Sequence, residues 1–349
     1  MKTMRIVIAG CGCVSVLWFD ALKKRDDAEL VGLVDLSREA MDKRIADYGL
    51  GGIETGTDLK AVLKKTKPDI VFNCTIPEAH LSVINTALRH GCHVLTEKPL
   101  ADTMPHAQKI IAAARATGKL CAVMQDRRYY GRIQSLRSFL ESGAIGRITT
   151  VHCDSMMGLH FGGFRDHMRH VLLVDMAIHT FDQARFITGQ DALSVIAHEW
   201  NPPGSWYEHE ASAVAIYAMT NDIVYTYRGS WCAEGLSGDS WRIIGDKGSL
   251  TWDGDIVRAQ AVNSDTGFIR EMRDIEVPYD KKNFPIEGHA VCINDFIHCV
   301  QTGEIPQTVC SDNIKSLAMV HSAIKSSRHA RRVTCDYKIK VNKHDQQKH

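Results

Sequence analysis

The sequence predicts an α/β domain with a doubly wound parallel sheet, followed by an α+β domain with a mainly antiparallel sheet. The chain has 349 residues, which is long for a single hydrophobic core. Strand and helix patterns alternate up to about residue 125, as parallel strands and their crossover helices require. Beyond Gly131, strand patterns follow one another with few helices between them. We therefore predict domains over 1–126 and 127–340, and a polar tail over 341–349.

The stretch from Arg5 to Asp20, RIVIAGCGCVSVLWFD, has two competing interpretations. Lys2 and Arg5 precede an apolar run, as in an export signal. Alternatively, Ile6–Ala9 is a buried strand that ends in a tight glycine turn. The 11 cysteines are scattered and include no CxxC pair, which argues for a reducing compartment and against export. We therefore favour the strand and expect a cytoplasmic protein.

The residues after the turn also favour the strand. Val14–Lys24 has apolar side chains at helical spacing, and Glu29–Asp35 is an apolar strand that ends on an acid. Strand, glycine turn, helix, strand and acid together make up a dinucleotide-binding unit. Gly10 would allow the sharp turn, and Gly12 would allow a pyrophosphate to approach the N–H groups of the helix N-terminus. Asp35 could accept hydrogen bonds from ribose hydroxyls.

The alternation continues through the rest of the first domain. We predict helices over Arg38–Tyr48, Asp58–Lys65 (with Thr57 as N-cap), Glu78–His90 and Met104–Thr117, and strands over Asp69–Cys74, Cys92–Thr96 and Leu120–Gln125. Ligands bind such sheets at the carboxyl ends of the strands. The residues that follow the strands are therefore the candidates for binding and chemistry, namely 10–13, Asp35, 75–80 and 97–99.

The second domain has a different pattern. We predict strands over Ile148–Met156, Ala192–Trp200, Ala211–Met219, Ile223–Trp231 and Ser240–Gly245, and helices over Val171–Thr188, Gly288–Thr302 and Asp312–Ser327. Runs of strands with few crossover helices are typical of a mainly antiparallel sheet.

Asp175 and His179 lie four residues apart inside the apolar helix pattern of 171–188. On an α-helix this spacing places both side chains on one face. A carboxylate beside an imidazole orients the ring and raises its proton affinity, so His179 could act as a general base or acid. The alternative from the residues alone is a helix-capping acid and a hydrogen-bonded core histidine.

Several motifs resemble those of the Gfo/Idh/MocA family of oxidoreductases, which includes glucose-fructose oxidoreductase and inositol dehydrogenase. They are the Gly10-Cys-Gly12 turn, Asp69-Ile-Val with Thr75-Ile-Pro-Glu-Ala-His80, Glu97-Lys-Pro99, and Asp175-Met-Ala-Ile-His179 followed by Asp182. The resemblance spans nearly the whole chain. It implies a Rossmann domain joined to an open-faced sheet, a nicotinamide cofactor, and a sugar or cyclitol as substrate. It also implies a homodimer or homotetramer.

Hydride chemistry gives three residues a role. Transfer of hydride from a carbinol to a nicotinamide needs one group that takes the hydroxyl proton and another that stabilises the developing oxyanion. Lys98 follows an apolar strand, and its ammonium is suited to polarise the reacting oxygen; the alternative is a surface loop lysine. We therefore predict Lys98, Asp175 and His179 as catalytic residues that also contact the substrate.

The positions at strand ends and the resemblance to the family together predict further cofactor-binding and substrate-binding residues. The cofactor-binding candidates are Gly10, Gly12, Cys13, Val14, Asp35, Arg38, Thr75, Pro77, His80, Glu97 and Lys98. Arg127, after the last strand of the first domain, and Arg165 and His167, in the loop before the helix of Asp175, are further substrate-binding candidates. This loop could meet a carboxylate or phosphate, or it could be a hydrated loop. Where the family often has a glycine pair, this chain has His170-Val171.

Charge and composition narrow the ligands. NAD is favoured over NADP because Asp35 would repel a 2′-phosphate, although Arg38 could bind that phosphate if Asp35 turned away. The formal net charge of +1 gives no reason to expect nucleic acid or a membrane as partner. The 17 histidines show no recognised metal-ligand spacing, so no metal is expected. The alternative to a dehydrogenase is a non-catalytic sensor on the same fold that binds nucleotide and sugar.

Overall fold

A computed structural model describes residues 2–265, 270–279, 281–284 and 286–338 of the chain. The predicted polar tail over 341–349 lies outside the described residues. The chain divides into two compact units. The first contains the residues up to Asp126, Ile286–Ile314 and the residues from Tyr337, and the second contains Arg127–Pro285 and Lys315–Asp336.

The first unit is built on a parallel sheet. Its described strands are β1 (Met4–Ala9), β2 (Ala28–Val34), β3 (Glu54–Gly56), β4 (Ile70–Asn73), β5 (His93–Thr96) and β6 (Cys121–Val123). They pair in parallel in the order β3-β2-β1-β4-β5-β6. Its first helices are α1 (Ser15–Leu22), α2 (Arg38–Tyr48), α3 (Leu59–Thr66), α4 (Pro77–Arg89) and α5 (Met104–Thr117). The sheet is doubly wound, and its strand order reverses between β1 and β4.

Local sequence explains why these elements begin and end where they do. Ile6, Val7 and Ile8 are fully buried, as expected for a central strand covered on both faces. The prediction that Thr57 caps α3 was wrong. Asp58 is the N-cap, because its carboxylate accepts the Lys60 N–H at 3.0 Å.

The second unit contains a larger, mixed sheet. Its described strands are β7 (Ile148–Met157), β8 (Ala192–Trp200), β9 (Ser212–Met219), β10 (Val224–Ser230), β11 (Ser237–Gly245), β12 (Gly248–Trp252), β13 (Val257–Asp265), β14 (Arg270–Ile275) and β15 (Val333–Thr334). The order is β14-β13-β12-β11-β7-β10-β9-β8-β15. β7 and β10 pair in parallel and the other neighbours pair antiparallel. The predicted fold class, a doubly wound sheet followed by a mainly antiparallel one, is therefore confirmed.

Helices pack against one face of the second sheet, and within the described ranges the opposite face keeps exposed apolar side chains. The elements are α6 (Gly131–Glu141), which the sequence did not predict, a π-helical segment (Leu172–Ala177) and α7 (Ile178–Thr188). Phe181 of α7 packs against Tyr217 and Tyr227 of the sheet, with ring centroids 5.2 and 5.1 Å apart. On the opposite face, Ile196 and Ile216 pair across β8 and β9 and remain 43% and 51% exposed.

The last two helices are α8 (His289–Thr302) and α9 (Cys310–His329). We expected α8 to flank the second sheet within a domain over 127–340, but the chain returns to the first unit at Ile286–Ile314. Contacts within that unit explain the difference. The Val123 N–H donates to the Thr308 carbonyl at 3.0 Å, and the Cys292 thiol lies against the Val123 carbonyl.

Two chemical features concern the described chain as a whole. All 11 cysteines are free thiols, and nine of them are buried. No helix among the described residues is both long enough and apolar enough to cross a membrane.

Candidate active site

A pocket of about 670 Å³ opens at the carboxyl ends of β1 and β4, where the strand order reverses. Four of the predicted cofactor-binding residues line it, namely Gly10, Gly12, Asp35 and Thr75. All four follow strands of the parallel sheet, at the edge where sheets of this kind bind ligands.

The two glycines of the turn have different requirements. Gly10 has φ +96°, and a Cβ there would lie 2.5 Å from the Cys74 carbonyl carbon, so the position admits only glycine. A Cβ at Gly12 would meet no atom within 4 Å. Packing therefore does not require glycine at position 12. The open space beside it is a cradle that a side chain would fill and that a pyrophosphate at the start of α1 fits.

Asp35 is held at the rim of the same pocket. Its carboxylate accepts the backbone N–H groups of Cys11 at 2.6 Å and Ser37 at 2.7 Å, which ties the glycine turn to the end of β2. Leu36 and Ile76 also line this pocket, and their apolar side chains are 90% and 66% exposed. Exposed apolar side chains that share a pocket are typical of a ligand-binding surface.

Sequence reasoning missed Arg44, which lies behind the glycine turn. Its buried guanidinium donates to the Gly12 carbonyl and to the Ser15 hydroxyl, both at 3.2 Å, and pairs with Asp47 at 2.9 Å. The Ser15 hydroxyl also donates to the Gly12 carbonyl at 2.6 Å. Ser15 therefore replaces the usual small fingerprint residue with a polar anchor. The signal in the sequence was an arginine at the spacing of Met41 and Tyr48 on one face of α2.

The remaining predicted cofactor residues are not among those that line this pocket. Cys13 and Val14 are exposed just before α1, and Pro77 is the first residue of α4. Arg38 lies at the start of α2 and donates to Asp42 and Thr55. His80 is fully buried, and its ring nitrogens bond the carbonyl oxygens of Pro99 at 2.9 Å and Thr75 at 3.0 Å. It joins the loop after β4 to the loop after β5.

Glu97, next to Lys98, lies in a buried cluster of charged groups. Its carboxylate accepts the Trp18 indole N–H at 2.8 Å and contacts His289 Nε2 at 3.3 Å, while His289 Nδ1 is 3.6 Å from Asp126. Burial alone would raise the pKa of Glu97, but the hydrogen bond and charge of His289 lower it overall. Burial likewise opposes the charge of His289, but Glu97 and Asp126 raise the pKa of its imidazole overall. His289 was also missed, because it lies 192 residues from Glu97 in sequence.

Lys98 itself is half-buried and precedes Pro99 through a cis peptide bond. It is the second residue after the end of β5, and the Glu97 carboxylate accepts the backbone N–H of Lys98 at 3.2 Å. The charged cluster described above therefore fixes the chain at the residue that was predicted to be catalytic.

In the second unit, Asp175 and His179 lie at the junction of the π-helical segment and α7. Both side chains are buried, with 8% and 6% exposure. The expectation of a continuous α-helix over 171–188 was wrong, because Leu172–Ala177 has the wider π-helical turn. Such π turns are rare and occur frequently at functional sites. The Arg165 guanidinium donates to the Asp175 carboxylate at 2.6 Å.

The loop before this helix carries paired charges. His167 Nδ1 lies 2.7 Å from Glu208, and His160 Nε2 lies 2.7 Å from Asp166. Arg165 also stacks over Phe164, with its guanidinium 4.7 Å from the ring centroid. Arg127, the first residue of the unit, lies 3.6 Å from the Asp239 carboxylate. Arg127, Arg165 and His167 therefore each lie beside a carboxylate.

All the predicted site residues from position 10 to position 98 lie in the first unit. The others lie in the second unit, namely Arg127, Arg165, His167, Asp175 and His179. Across the ranges that the structure describes, no three histidine, cysteine, aspartate or glutamate side chains are arranged to hold a metal ion.

Comparison with known proteins assigns the chain to a family. Residues 4–125 match the model described as "Oxidoreductase family, NAD-binding Rossmann fold", and residues 133–251 match the GFO/IDH/MocA C-terminal domain. The chain belongs to the GFO/IDH/MocA family of oxidoreductases. The resemblance seen in the sequence is confirmed, as is the prediction of an oxidoreductase enzyme with an NAD-binding domain. We find no support for the alternative of a non-catalytic sensor.

Relatives of known activity match along most of the chain. D-apiose dehydrogenase of Paraburkholderia graminis is 26% identical over 95% of this chain and 90% of its own length. Myo-inositol 2-dehydrogenase of Thermotoga maritima is 23% identical over 95% of this chain and 98% of its own. Among solved structures, an oxidoreductase from Agrobacterium radiobacter in complex with NAD⁺, L-tartaric acid and magnesium has the same fold. Its TM-score is 0.84 at 19% identity, and the match covers 96% of this chain and 99% of that one.

Proposed function

We propose that this protein is an NAD-dependent dehydrogenase that oxidises a secondary alcohol of a neutral sugar or cyclitol, or reduces the corresponding ketone. The observation that carries the proposal is the pocket at the ends of β1 and β4, with its open glycine turn and its acid. The relatives named above, which act on apiose and on inositol, support the substrate class.

NAD fits the residues of the pocket better than NADP does. The open space at Gly12 suits a pyrophosphate, and the Asp35 carboxylate at the rim suits ribose hydroxyls and would repel a 2′-phosphate. Arg38, the candidate for binding that phosphate, already donates to Asp42 and Thr55. We propose that Leu36 and Ile76 supply the apolar contacts for the adenine.

Lys98, His179 and Asp175 are proposed as the catalytic residues. When bound, the nicotinamide would supply the acceptor for the hydride. His179 is proposed to take the hydroxyl proton of the substrate, and the Lys98 ammonium is proposed to stabilise developing negative charge on the reacting oxygen. Asp175 is held by Arg165 at 2.6 Å, which keeps this carboxylate in one position beside the helix that carries His179. In ketone reduction the two groups act in reverse, with His179 as the acid.

The ion pairs of the predicted substrate-binding arginines favour a neutral substrate. Arg165 pairs with Asp175 and Arg127 pairs with Asp239, so an anionic substrate would have to displace a carboxylate from either arginine. A polyhydroxylated ring can instead donate hydroxyl hydrogen bonds to the same carboxylates while the cations stay paired. We therefore propose neutral sugars and cyclitols as substrates, in preference to sugar acids and phosphorylated sugars.

We also propose a homodimer or homotetramer that covers the open face of the second sheet. Ile196, Ile216, Thr226, His152 and Arg242 lie side by side across five neighbouring strands on this face. A surface with isoleucines this exposed is typical of a protein–protein interface. Light scattering on the purified protein would measure the mass, and Ile216→Asp should shift it towards the monomer.

The test of function is an absorbance screen for reduced nicotinamide. Purified protein is mixed with NAD or NADP and with separate groups of neutral sugars, cyclitols, sugar acids and phosphorylated sugars. The proposal predicts reduction of NAD with a neutral sugar or cyclitol. Turnover confined to anionic sugars would overturn the substrate class, and turnover with NADP alone would overturn the cofactor. If calorimetry shows that NAD binds but no compound is oxidised and no ketone is reduced, the activity itself is refuted.

A further inference from the structure

His170 has a backbone conformation that normally favours glycine. Its φ is +56°, in the left-handed region that costs free energy for a residue with a side chain. It lies two residues before Leu172, where the π-helical segment begins, and its carbonyl accepts the Val174 N–H at 3.0 Å. The helix that carries Asp175 and His179 therefore begins at a strained residue. Strain of this kind persists only where surrounding groups hold it in place.

Two carboxylates hold the His170 side chain. Nδ1 lies 3.1 and 3.2 Å from the two oxygens of Glu199, and 3.6 Å from Glu210 Oε2. Glu199 is buried in β8, and its backbone N–H donates to the Ser327 hydroxyl at 2.9 Å. The imidazole is thus fixed to the sheet at a point where its own backbone starts the helix.

We infer that His170 is a positioning residue, whose imidazolium is clamped by Glu199 and Glu210 and thereby sets the start of the helix that presents Asp175 and His179. The inference rests on the proposed function for its effect on turnover. It assigns His170 no contact with substrate or cofactor. Sequence reasoning noted only that His170-Val171 stands where a glycine pair is common in the family.

The charges around His170 make the clamp dependent on pH. The hydrogen bond that His170 Nδ1 donates to Glu199 and the charges of Glu199 and Glu210 raise the pKa of His170, while its burial and Arg328 on α9 oppose them. Burial alone would raise the pKa of Glu210, but backbone hydrogen bonds and the charges of His170 and His209 lower it overall. The folded-state pKa of His170 lies above its ordinary value of 6.5. The stabilisation from its pairing with Glu199 and Glu210 is therefore fully present below pH 6.5 and is lost as the pH rises through the raised pKa.

Glycine substitution separates the clamp from the backbone conformation. His170→Gly removes the side chain but permits a positive φ, whereas His170→Ala removes the side chain and retains the strain. We expect kcat near pH 6 to fall by about threefold in the glycine variant and by about tenfold or more in the alanine variant. We also expect the wild-type activity to fall at alkaline pH, and this alkaline fall to be absent from His170→Gly.

Glu199→Gln tests the charge alone. The amide keeps the size of the side chain and one acceptor but no longer stabilises the imidazolium, so the midpoint of the alkaline fall should move to lower pH. His298→Gln is the matched control, because His298 pairs with Glu304 at 3.6 Å in the first unit and both side chains are exposed. It should leave the pH profile unchanged.

Two results would overturn the inference. The first is that His170→Gly and His170→Ala are equally active and that their activity falls at alkaline pH as it does in the wild type. The second needs no turnover: the melting temperatures of the wild type and Glu199→Gln would differ by the same amount at every pH from 5 to 9. The clamp instead predicts that this difference shrinks as the pH rises through the pKa of His170. If no substrate is ever found, the melting series still decides the clamp, so failure of the proposed function and failure of this inference are distinguishable.

Discussion

The glycine turn offers a test in which one methyl group should weaken cofactor binding strongly without destabilising the fold. A Cβ at Gly12 would meet no protein atom within 4 Å, and Gly12 is not among the glycines with positive φ. Gly12→Ala should therefore fold normally, and its free energy of unfolding should rise by about 0.4–1 kcal/mol because alanine loses less conformational freedom on folding than glycine does. The same methyl would occupy the space that we assign to the pyrophosphate.

The expected loss of affinity follows from the contacts at the helix N-terminus. A methyl group that displaces the phosphate breaks its hydrogen bonds to backbone N–H groups, and a bond to a charged group contributes about 1.5–3 kcal/mol. Loss of two such bonds amounts to at least about 3 kcal/mol, which is roughly a hundredfold in the Kd for NAD.

Calorimetric titration with NAD and thermal unfolding make up the assay. Gly51→Ala is the matched control, because a Cβ at Gly51 also meets no atom within 4 Å and Gly51 does not line the pocket. It should leave the Kd for NAD nearly unchanged and raise the free energy of unfolding by the same about 0.4–1 kcal/mol. Gly10→Ala gives the opposite contrast, since the clash with Cys74 at 2.5 Å and the positive φ should destabilise the fold by about 2–4 kcal/mol.

The reasoning is refuted if Gly12→Ala binds NAD as tightly as the wild type does while Gly51→Ala behaves as expected. A large fall in the melting temperature of Gly12→Ala would refute the other half of the argument, because it would show that packing rather than ligand space requires glycine at this position.

Three further predictions concern chemistry, cofactor choice and pH. Lys98→Met and His179→Gln should each lower kcat by at least about a hundredfold and leave the Kd for NAD within about twofold; wild-type turnover in either variant would contradict its role. Asp35→Asn should reduce the ratio of NADP Kd to NAD Kd by about tenfold, and an unchanged ratio would show that Asp35 does not face the ribose. His289→Gln should lower the melting temperature most between pH 4.5 and 6.5, the ordinary values of Glu97 and His289. Within that window both partners are charged; the stabilisation falls at acid pH as Glu97 is protonated and at alkaline pH as His289 loses its proton. A difference that stays constant across pH would contradict the buried pair.

Local sequence predicted most of the first unit because its signals are local. Apolar runs such as Ile6–Ala9 must be buried on both faces, and the acid that ends β2 lies at a fixed distance from the glycine turn. Asp35 and Gly12 accordingly line the pocket in which they were expected. The prediction of Thr57 as N-cap failed, because Asp58 can cap equally well and only the backbone geometry decides which residue does.

Long-range contacts explain what the sequence could not show. Helix α8 was assigned to the wrong unit because nothing in its own pattern reveals that His289 pairs with Glu97. The π-helical turn at Leu172–Ala177 likewise has no signature in the spacing of apolar residues, and the strained His170 before it looks like an ordinary loop histidine. Arg165 was predicted to meet substrate, and only the folded chain shows that it pairs with Asp175.

The most direct test of the central claim is transfer of deuterium from a substrate carbon to the cofactor. A sugar or cyclitol that the absorbance screen identifies is prepared with deuterium on the carbinol carbon, and the reduced nicotinamide is analysed by mass spectrometry. The account predicts one deuterium per NADH formed by the wild-type protein, and almost no labelled NADH from Lys98→Met. NADH without deuterium would contradict the account. Equal amounts of labelled NADH formed in the same time by the wild type and Lys98→Met would also contradict it.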